Sequence, residues 1–231
     1  MRIVTVLLVL LLLLVSCTGP ETTAETRKPI TTDAETVASI TTTGEVTEPV
    51  TGTQETEFGC DLLFLGDSIT ADSDFREYFP ECSVVNLGVY GDTLLQILAR
   101  VDAVRSANPA KIFLLGGINS LRPDNVDECL AQYGRLLDAL REACPEASIC
   151  VQSVLPVGTE LDPEGSLNDA VRRFNAGLEP LAREKGCDFA DIYAAYEKDG
   201  AMDPALTRDG VHLNFTAYGP WAEVIQPYIG E

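Results

Sequence analysis

Short apolar runs alternate with amphipathic segments along residues 60–230, and this alternation constrains the fold more than any other feature. The apolar runs are bounded by polar residues, which is typical of parallel strands buried on both faces. They cover 60–66, 83–87, 111–115 and 148–154. Between and after them, apolar residues recur every three or four positions, which predicts helices over 94–104, 129–140, 171–181 and 215–229. The pattern indicates an α/β protein with helices on both faces of the sheet, and functional residues collect at the carboxyl ends of such strands.

The first 16 residues have the pattern of a signal peptide. A single Arg2 precedes a short apolar core, and this core is too short to span a bilayer as an anchor. The ending Leu14-Val15-Ser16-Cys17 resembles the lipobox of bacterial lipoproteins. This resemblance implies acylation of Cys17 and a lipid-anchored protein on the extracytoplasmic face of a bacterial membrane. The alternative is ordinary cleavage that leaves Cys17 as a free thiol.

Residues 17–57 differ abruptly in composition from the rest of the chain. They hold 14 Thr, several Glu and Pro, and no aromatic residue. Such a segment buries too little apolar surface to offset its conformational entropy. We therefore expect a disordered stalk that holds a folded domain, residues 58–231, away from the membrane.

The net charge of −20, from 16 basic and 36 acidic residues, argues against a nucleic-acid partner. The chain has one His, and its cysteines show no C-x-x-C spacing, so a metal site is not expected. A signal peptide places the six cysteines after Cys17 where disulfides form. Two pairings are expected from the predicted strands, Cys60 with Cys82 and Cys150 with Cys187, and the alternative is buried free thiols.

Four sequence blocks lie where chemistry is expected at the strand ends. Ser68 follows Gly66-Asp67 at a predicted strand-to-helix turn, where a helix N-terminus favours developing negative charge. Gly91 lets a backbone N–H approach a ligand, and the Asn119 amide can donate into the cleft. Each of these residues is also an ordinary turn or cap residue, so none decides the function alone.

The fourth block contains Asp209 and His212. Three residues apart on a turn, a carboxylate can fix the imidazole tautomer and stabilise its protonated form. A lone His is more often structural, so a catalytic role for His212 is indicated only by the four blocks occurring together. Ser, Gly, Asn and Asp-x-x-His appear in this order, each at a position expected to face one cleft.

The four blocks together resemble the SGNH hydrolases, also called GDSL-type lipases and esterases. The matching segments are GDSIT at 66–70, NLGVYGDT at 86–93, GGIN at 116–119 and DGVHLNFTAY at 209–218. The resemblance implies a three-layer flavodoxin-like fold with a parallel sheet of about five strands, and hydrolysis of esters without metal or cofactor. The sequence departs from the family pattern at Ser120, where many members have Asp, and at Ala217, where many have Gly.

The resemblance also implies a role for each matching residue. Ser68 corresponds to the nucleophile, His212 to the general base and Asp209 to its orienting partner. The oxyanion hole corresponds to the Ser68 N–H, Gly91 and the Asn119 amide.

The substrate is less constrained than the chemistry. No long apolar lid segment is apparent, and residues 155–167 form a polar, Gly- and Pro-containing loop. We expect a shallow cleft for small acyl groups, with O-acetyl esters on extracellular carbohydrate as the leading substrate. The alternatives are a lysophospholipid or other lipid ester, or a non-catalytic lipoprotein that binds glycans. We expect a monomer that contacts the membrane only through its N-terminal lipid.

Overall fold

The computed structural model describes residues 57–230. The predicted signal peptide, Cys17 with its predicted acylation, and all but the last residue of the predicted stalk lie outside the described residues. Within the described part, no helix is long and apolar enough to cross a membrane.

A five-stranded parallel sheet in the order β2-β1-β3-β4-β5 forms the centre of the domain. The strands are β1 (Cys60–Gly66), β2 (Val84–Gly88), β3 (Pro109–Leu115), β4 (Ser148–Gln152) and β5 (Asp188–Ala190). Two short strands, β6 (Glu197–Lys198) and β7 (Ala201–Met202), pair with each other in antiparallel fashion and not with the five-stranded sheet. The parallel sheet confirms the α/β fold with about five strands.

Residues 57–230 contain six α-helices, which flank the sheet. They are α1 (Ser68–Ala71), α2 (Leu94–Leu98), α3 (Val101–Ala107), α4 (Val126–Ala143), α5 (Ser166–Glu184) and α6 (Gly219–Ile225). Single 3₁₀ turns occur at Phe75–Glu77, Tyr193–Ala195 and Gln226–Tyr228. Helices α4 and α5 each bury one apolar stripe, which is the amphipathic spacing seen in the sequence.

Two apolar clusters, one on each face of the sheet, form the core. One cluster joins alternate residues of β1, β3 and β4 to α2, α3, α4 and α5. The other joins the intervening residues to α1, the Phe75–Glu77 turn and α6. In the second cluster, Phe64 stacks on Phe75 at a centroid distance of 3.6 Å, and the Trp221 ring meets Phe75 edge-on at 5.2 Å. The central strands are therefore buried on both faces, which is why they appear as continuous apolar runs.

Two predicted helices differ from the observed ones. The predicted helix over 94–104 is two helices, because Arg100 turns inward between them and hydrogen-bonds Asp92. The predicted final helix over 215–229 is shorter, because α6 begins at Gly219 with Pro220 in its first turn and Pro227 falls in the closing 3₁₀ turn.

The predicted disulfides are not formed, since the six cysteines of the described part are free thiols. Cys150 packs in the cluster on one face of the sheet and Cys187 in the cluster on the other. Cys150 pairs in register with Asp188, so the preceding Cys187 points to the opposite face. Cys60 and Cys82 are likewise divided between the two clusters. The disulfides were expected because the cysteines lie near the starts of neighbouring predicted strands, and that position does not tell which face of the sheet each side chain occupies.

Candidate active site

The sheet register brings the ends of three strands level with one another. Gly66 of β1 pairs with Gly88 of β2 on one side and with Leu115 of β3 on the other. The blocks containing Ser68, Gly91 and Asn119 therefore leave the sheet side by side at its carboxyl edge, where open α/β sheets carry their sites.

Ser68 is the first residue of α1, immediately after the turn that ends β1. The side chain of Asp67 caps this helix by accepting a hydrogen bond from Ile69 N at 3.0 Å. Gly66 is required at the turn, since a Cβ there would lie 2.2 Å from Thr70 Oγ1 and 2.4 Å from Leu115 O. The tight turn holds the Ser68 hydroxyl at the end of the strand rather than along the sheet.

Asp209 and His212 occupy a short turn closed by a bridge between Thr207 and Leu213. The carboxylate oxygen Oδ1 of Asp209 accepts the backbone N–H of His212 at 2.8 Å, and the other oxygen lies 2.7 Å from His212 Nδ1. On the opposite side of the ring, His212 Nε2 lies 2.9 Å from Ser68 Oγ. The structure thus brings together the hydroxyl, the imidazole and the carboxylate in the order that nucleophilic catalysis requires.

The environment of Asp209 keeps it ionised. Partial burial raises the pKa of its carboxyl, but hydrogen bonds from the His212 backbone and ring and from Val211 N outweigh burial and lower the pKa to about 2. A carboxylate charged at neutral pH favours the tautomer of His212 that carries its proton on Nδ1, which leaves Nε2 free to accept the proton of Ser68.

Three hydrogen-bond donors lie on the segments that follow the carboxyl ends of β1, β2 and β3. The N–H of Ser68 is the first of α1 and has no acceptor within its own helix. Gly91 has a φ of +77° and open space where a Cβ would stand. The amide of Asn119 donates one hydrogen to Asp92 O at 3.0 Å, which fixes its orientation and leaves its second hydrogen for a ligand.

Arg100 is a supporting residue that the sequence analysis missed. Its guanidinium binds the buried carboxylate of Asp92 at 2.7 Å and donates to Leu87 O at 2.9 Å and Gly66 O at 3.1 Å. Asp92 therefore braces the turn beside Gly91 instead of capping α2, which Thr93 and Gln96 cap. Nothing in the sequence indicates that Asp92, before α2, pairs with Arg100, between α2 and α3.

The chain matches the model of the GDSL-like Lipase/Acylhydrolase family over residues 64–219. The protein belongs to this family. It is a serine ester hydrolase of the SGNH class. No curated protein sequence matches the acylhydrolase at a significant level.

Solved structures share the fold of this acylhydrolase. A Streptococcus pneumonia protein named as a platelet activating factor is 24% identical, with a TM-score of 0.65 over 77% of this chain and 86% of the other. A GDSL-like lipase from Bacteroides thetaiotaomicron is 20% identical, with a TM-score of 0.63 over 74% and 88%. An acetyl-xylooligosaccharide esterase from Geobacillus Stearmophilus, in a variant form, is 22% identical, with a TM-score of 0.59 over 75% and 95%.

Two departures of the acylhydrolase from its family pattern have local structural roles. Ser120 accepts a hydrogen bond from Leu94 N at 2.9 Å, so it helps to cap α2. Ala217 is buried, and its carbonyl accepts the hydroxyl of Tyr196 at 2.9 Å. In the described structure neither residue forms a hydrogen bond with Ser68 or His212.

Exposed apolar side chains collect on the segments that carry or contact the four blocks. Among residues 57–230, the large apolar side chains with the greatest exposure are Val89, Tyr90, Leu95, Leu161 and Phe215. Leu161 lies on the loop after β4. This loop packs against residues 207–213, the turn that carries Asp209 and His212 and is called the base turn, through a hydrogen bond of 2.7 Å from Gly158 N to Gly210 O. These five exposed side chains are referred to as the rim. The described part holds no cluster of three or more His, Cys, Asp or Glu that could bind a metal ion.

Proposed function

We propose that the protein is a serine esterase that removes small acyl groups, with O-acetyl esters on extracellular carbohydrate as its substrate class. The observation that carries this proposal is the 2.9 Å contact between Ser68 Oγ and His212 Nε2, backed by the 2.7 Å contact between His212 Nδ1 and Asp209. Because the chain has a single His, no other imidazole can act as the base.

The reaction follows from this geometry in two stages. His212 accepts the proton of Ser68 as the serine oxygen attacks the acyl carbon, and it then donates that proton to the departing alcohol. Water then attacks the acyl carbon as His212 accepts a proton from it, and His212 returns that proton to the Ser68 oxygen as the carboxylic acid is released. The Ser68 N–H, Gly91 N–H and Asn119 amide stabilise the oxyanion of both tetrahedral intermediates, and one such donor typically contributes on the order of 10²–10³ in rate.

The form of the rim supports a carbohydrate alcohol. Tyr90 and Phe215 are 66% and 69% exposed, and exposed aromatic faces suit the apolar faces of sugar rings. A cavity of about 440 Å³ beside Asp209 combines polar and apolar lining residues, namely Glu160, Lys198 and Asp199 together with Ala201, Met202 and Pro204. A structural neighbour named as an acetyl-xylooligosaccharide esterase agrees with this substrate class at the level of the fold.

Lipid esters are the second candidate, because Val89, Leu95 and Leu161 add exposed aliphatic surface to the same rim. The two candidates predict opposite preferences for acyl length. A series of p-nitrophenyl esters from acetyl to palmitoyl, together with acetylated xylo-oligosaccharides and a lysophospholipid, separates them. The carbohydrate proposal expects the highest kcat/KM with acetyl esters and release of acetate from the oligosaccharide, whereas a steep preference for long chains overturns it.

Covalent labelling tests the catalytic proposal against a glycan-binding protein without activity. A fluorophosphonate probe should label the folded wild-type protein stoichiometrically at Ser68, and Ser68→Ala should remain unlabelled. Absence of labelling in well-folded wild-type protein would leave glycan binding as the function.

We also propose that Cys17 is acylated and anchors the esterase to the extracytoplasmic face of a bacterial membrane. The support is the lipobox-like segment before Cys17 and the apolar run that precedes it. Expression with a radiolabelled fatty acid should label the wild type and not Cys17→Ser, with the wild type in the membrane fraction. An unlabelled wild type contradicts the anchor and leaves the esterase proposal untouched.

A further inference from the structure

Asp72 ends the helix that begins with Ser68. Its backbone N–H donates to the carbonyl of Ser68 at 3.1 Å, so one turn of α1 separates the two residues. The side chain of Asp72 is only 3% exposed, and both of its carboxylate oxygens have a partner. One oxygen accepts the hydroxyl of Tyr90, and the other binds the guanidinium of Arg208.

The two partners of Asp72 belong to the other two parts of the site. Tyr90 immediately precedes Gly91 of the proposed oxyanion hole, and Arg208 immediately precedes Asp209. Arg208 also stabilises the base turn, since its backbone N donates to His212 O at 3.0 Å and its Nη1 to Leu213 O at 3.1 Å. One nearly buried carboxylate thus connects three segments that arrive from distant parts of the chain.

Several other ion pairs of the described residues are local instead. Asp74 binds Arg76 at 2.6 Å within one 3₁₀ turn, and Glu179 binds Arg183 along α5. Exposed local pairs of this kind contribute little to the geometry of a protein. Asp72 and Arg208 are instead 136 positions apart in the chain, and the carboxylate of Asp72 is buried from water.

We propose that Asp72 is a positioning residue that fixes the relative positions of the segments carrying Ser68, Gly91 and the Asp209–His212 pair. This inference rests on the proposed esterase function. No covalent bond ties α1 directly to the base turn. The distance between Ser68 Oγ and His212 Nε2 therefore depends on non-covalent contacts such as the Asp72–Arg208 ion pair. Catalysis is steep in this distance, because a displacement of about 1 Å can reduce the rate on the order of 10²-fold. Removing the charge of Asp72 also leaves Arg208 without its anionic partner, which favours movement of the base turn.

The test compares Asp72→Asn with Asp74→Asn, the same substitution two positions away. Both proteins, and Asp72→Ala, are assayed with p-nitrophenyl acetate and with a fluorophosphonate, and their folding is followed by circular dichroism and thermal unfolding. We expect kcat to fall about 10-fold in Asp72→Asn and on the order of 10²-fold in Asp72→Ala, with KM within about twofold. The fluorophosphonate labelling rate of Ser68 should fall in parallel, and Asp74→Asn should behave as the wild type.

A double-mutant cycle with Tyr90→Phe provides the second measurement. This variant keeps the ring and loses only the hydroxyl that Asp72 accepts, so the combination with Asp72→Asn should cost less than the two single effects together. Additive effects, or folded Asp72→Asn with the kcat of the wild type, overturn the positioning role while the esterase stands. A wild type that neither hydrolyses the ester nor reacts with the probe overturns the proposed function and this inference together.

Discussion

His212 Nε2 lies 2.9 Å from Ser68 Oγ although 144 positions separate the two residues in the chain. The contact joins the turn after β1 to a turn just before the last helix, and a carboxylate on the far side of the ring completes the arrangement. A hydroxyl and an imidazole at hydrogen-bond distance form the minimal unit for transferring a proton during nucleophilic attack.

Substitution His212→Ala should remove nearly all esterase activity. A positioned base typically contributes on the order of 10²–10⁴ in rate, and the chain has no second His to replace it. The ring is partly exposed and outside the buried core, so the fold should be kept. Turnover of p-nitrophenyl acetate, with circular dichroism as the check on folding, measures the effect, and wild-type turnover by the variant refutes the role of His212.

Substitution Asn119→Ala should lower kcat on the order of 10²–10³-fold with a small change in KM, because the lost amide hydrogen acts on the oxyanion. Asn108→Gly is the matched control. Asn108 has a φ of +46° at the end of α3, so glycine fits its backbone, and it precedes β3 at the opposite edge of the sheet. Equal rates for Asn119→Ala and Asn108→Gly in single-turnover assays contradict the oxyanion assignment.

The features that the sequence predicted correctly are those governed by local pattern. The strand Cys60–Gly66 was predicted at its observed bounds because burial on both faces requires an unbroken apolar run. The strands that precede Ser68, Gly91 and Asn119 were expected to end at one edge of the sheet, and their register confirms this. The long helices α4 and α5 followed from their apolar periodicity.

The features that the sequence did not predict depend on tertiary contacts. Arg100 interrupts a regular apolar spacing in order to bind Asp92, which nothing in residues 94–104 indicates. The Asp72–Arg208 pair joins segments that become neighbours only after the sheet has formed. The thiol orientations depend on which face each residue occupies, and a one-residue shift reverses that face.

Substitution Phe215→Ala should weaken binding of a carbohydrate alcohol and spare small esters. Phe215 is 69% exposed, and an aromatic contact is typically worth about 0.5–1.5 kcal/mol, so KM for acetylated xylo-oligosaccharides should rise about 2- to 10-fold. The KM for p-nitrophenyl acetate should stay within about twofold, since that leaving group does not reach an extended subsite. Phe215→Tyr keeps the aromatic face and serves as the control. An equal rise in KM for both substrates contradicts a carbohydrate subsite at this ring.

Asp67 should make the stability of the protein fall as pH rises through neutrality. Its side chain is buried, and burial raises the pKa of the carboxyl to about 7, against hydrogen bonding from Ile69 and the nearby His212. A pKa raised in the folded state means that the stabilisation is fully present below about pH 3.8 and is lost as pH rises through about 7. Asp209, whose pKa is lowered to about 2, changes stability only on the acid side of this window.

The variant Asp67→Asn isolates this effect, because asparagine keeps the oxygen that caps α1 and cannot ionise. Between pH 5 and pH 8, the unfolding free energy of the wild type in urea should fall by up to about 3 kcal/mol relative to that of Asp67→Asn. Parallel dependence of the unfolding free energy on pH in the two proteins would show that the Asp67 carboxyl is ionised in the folded state across this range, which contradicts its raised pKa.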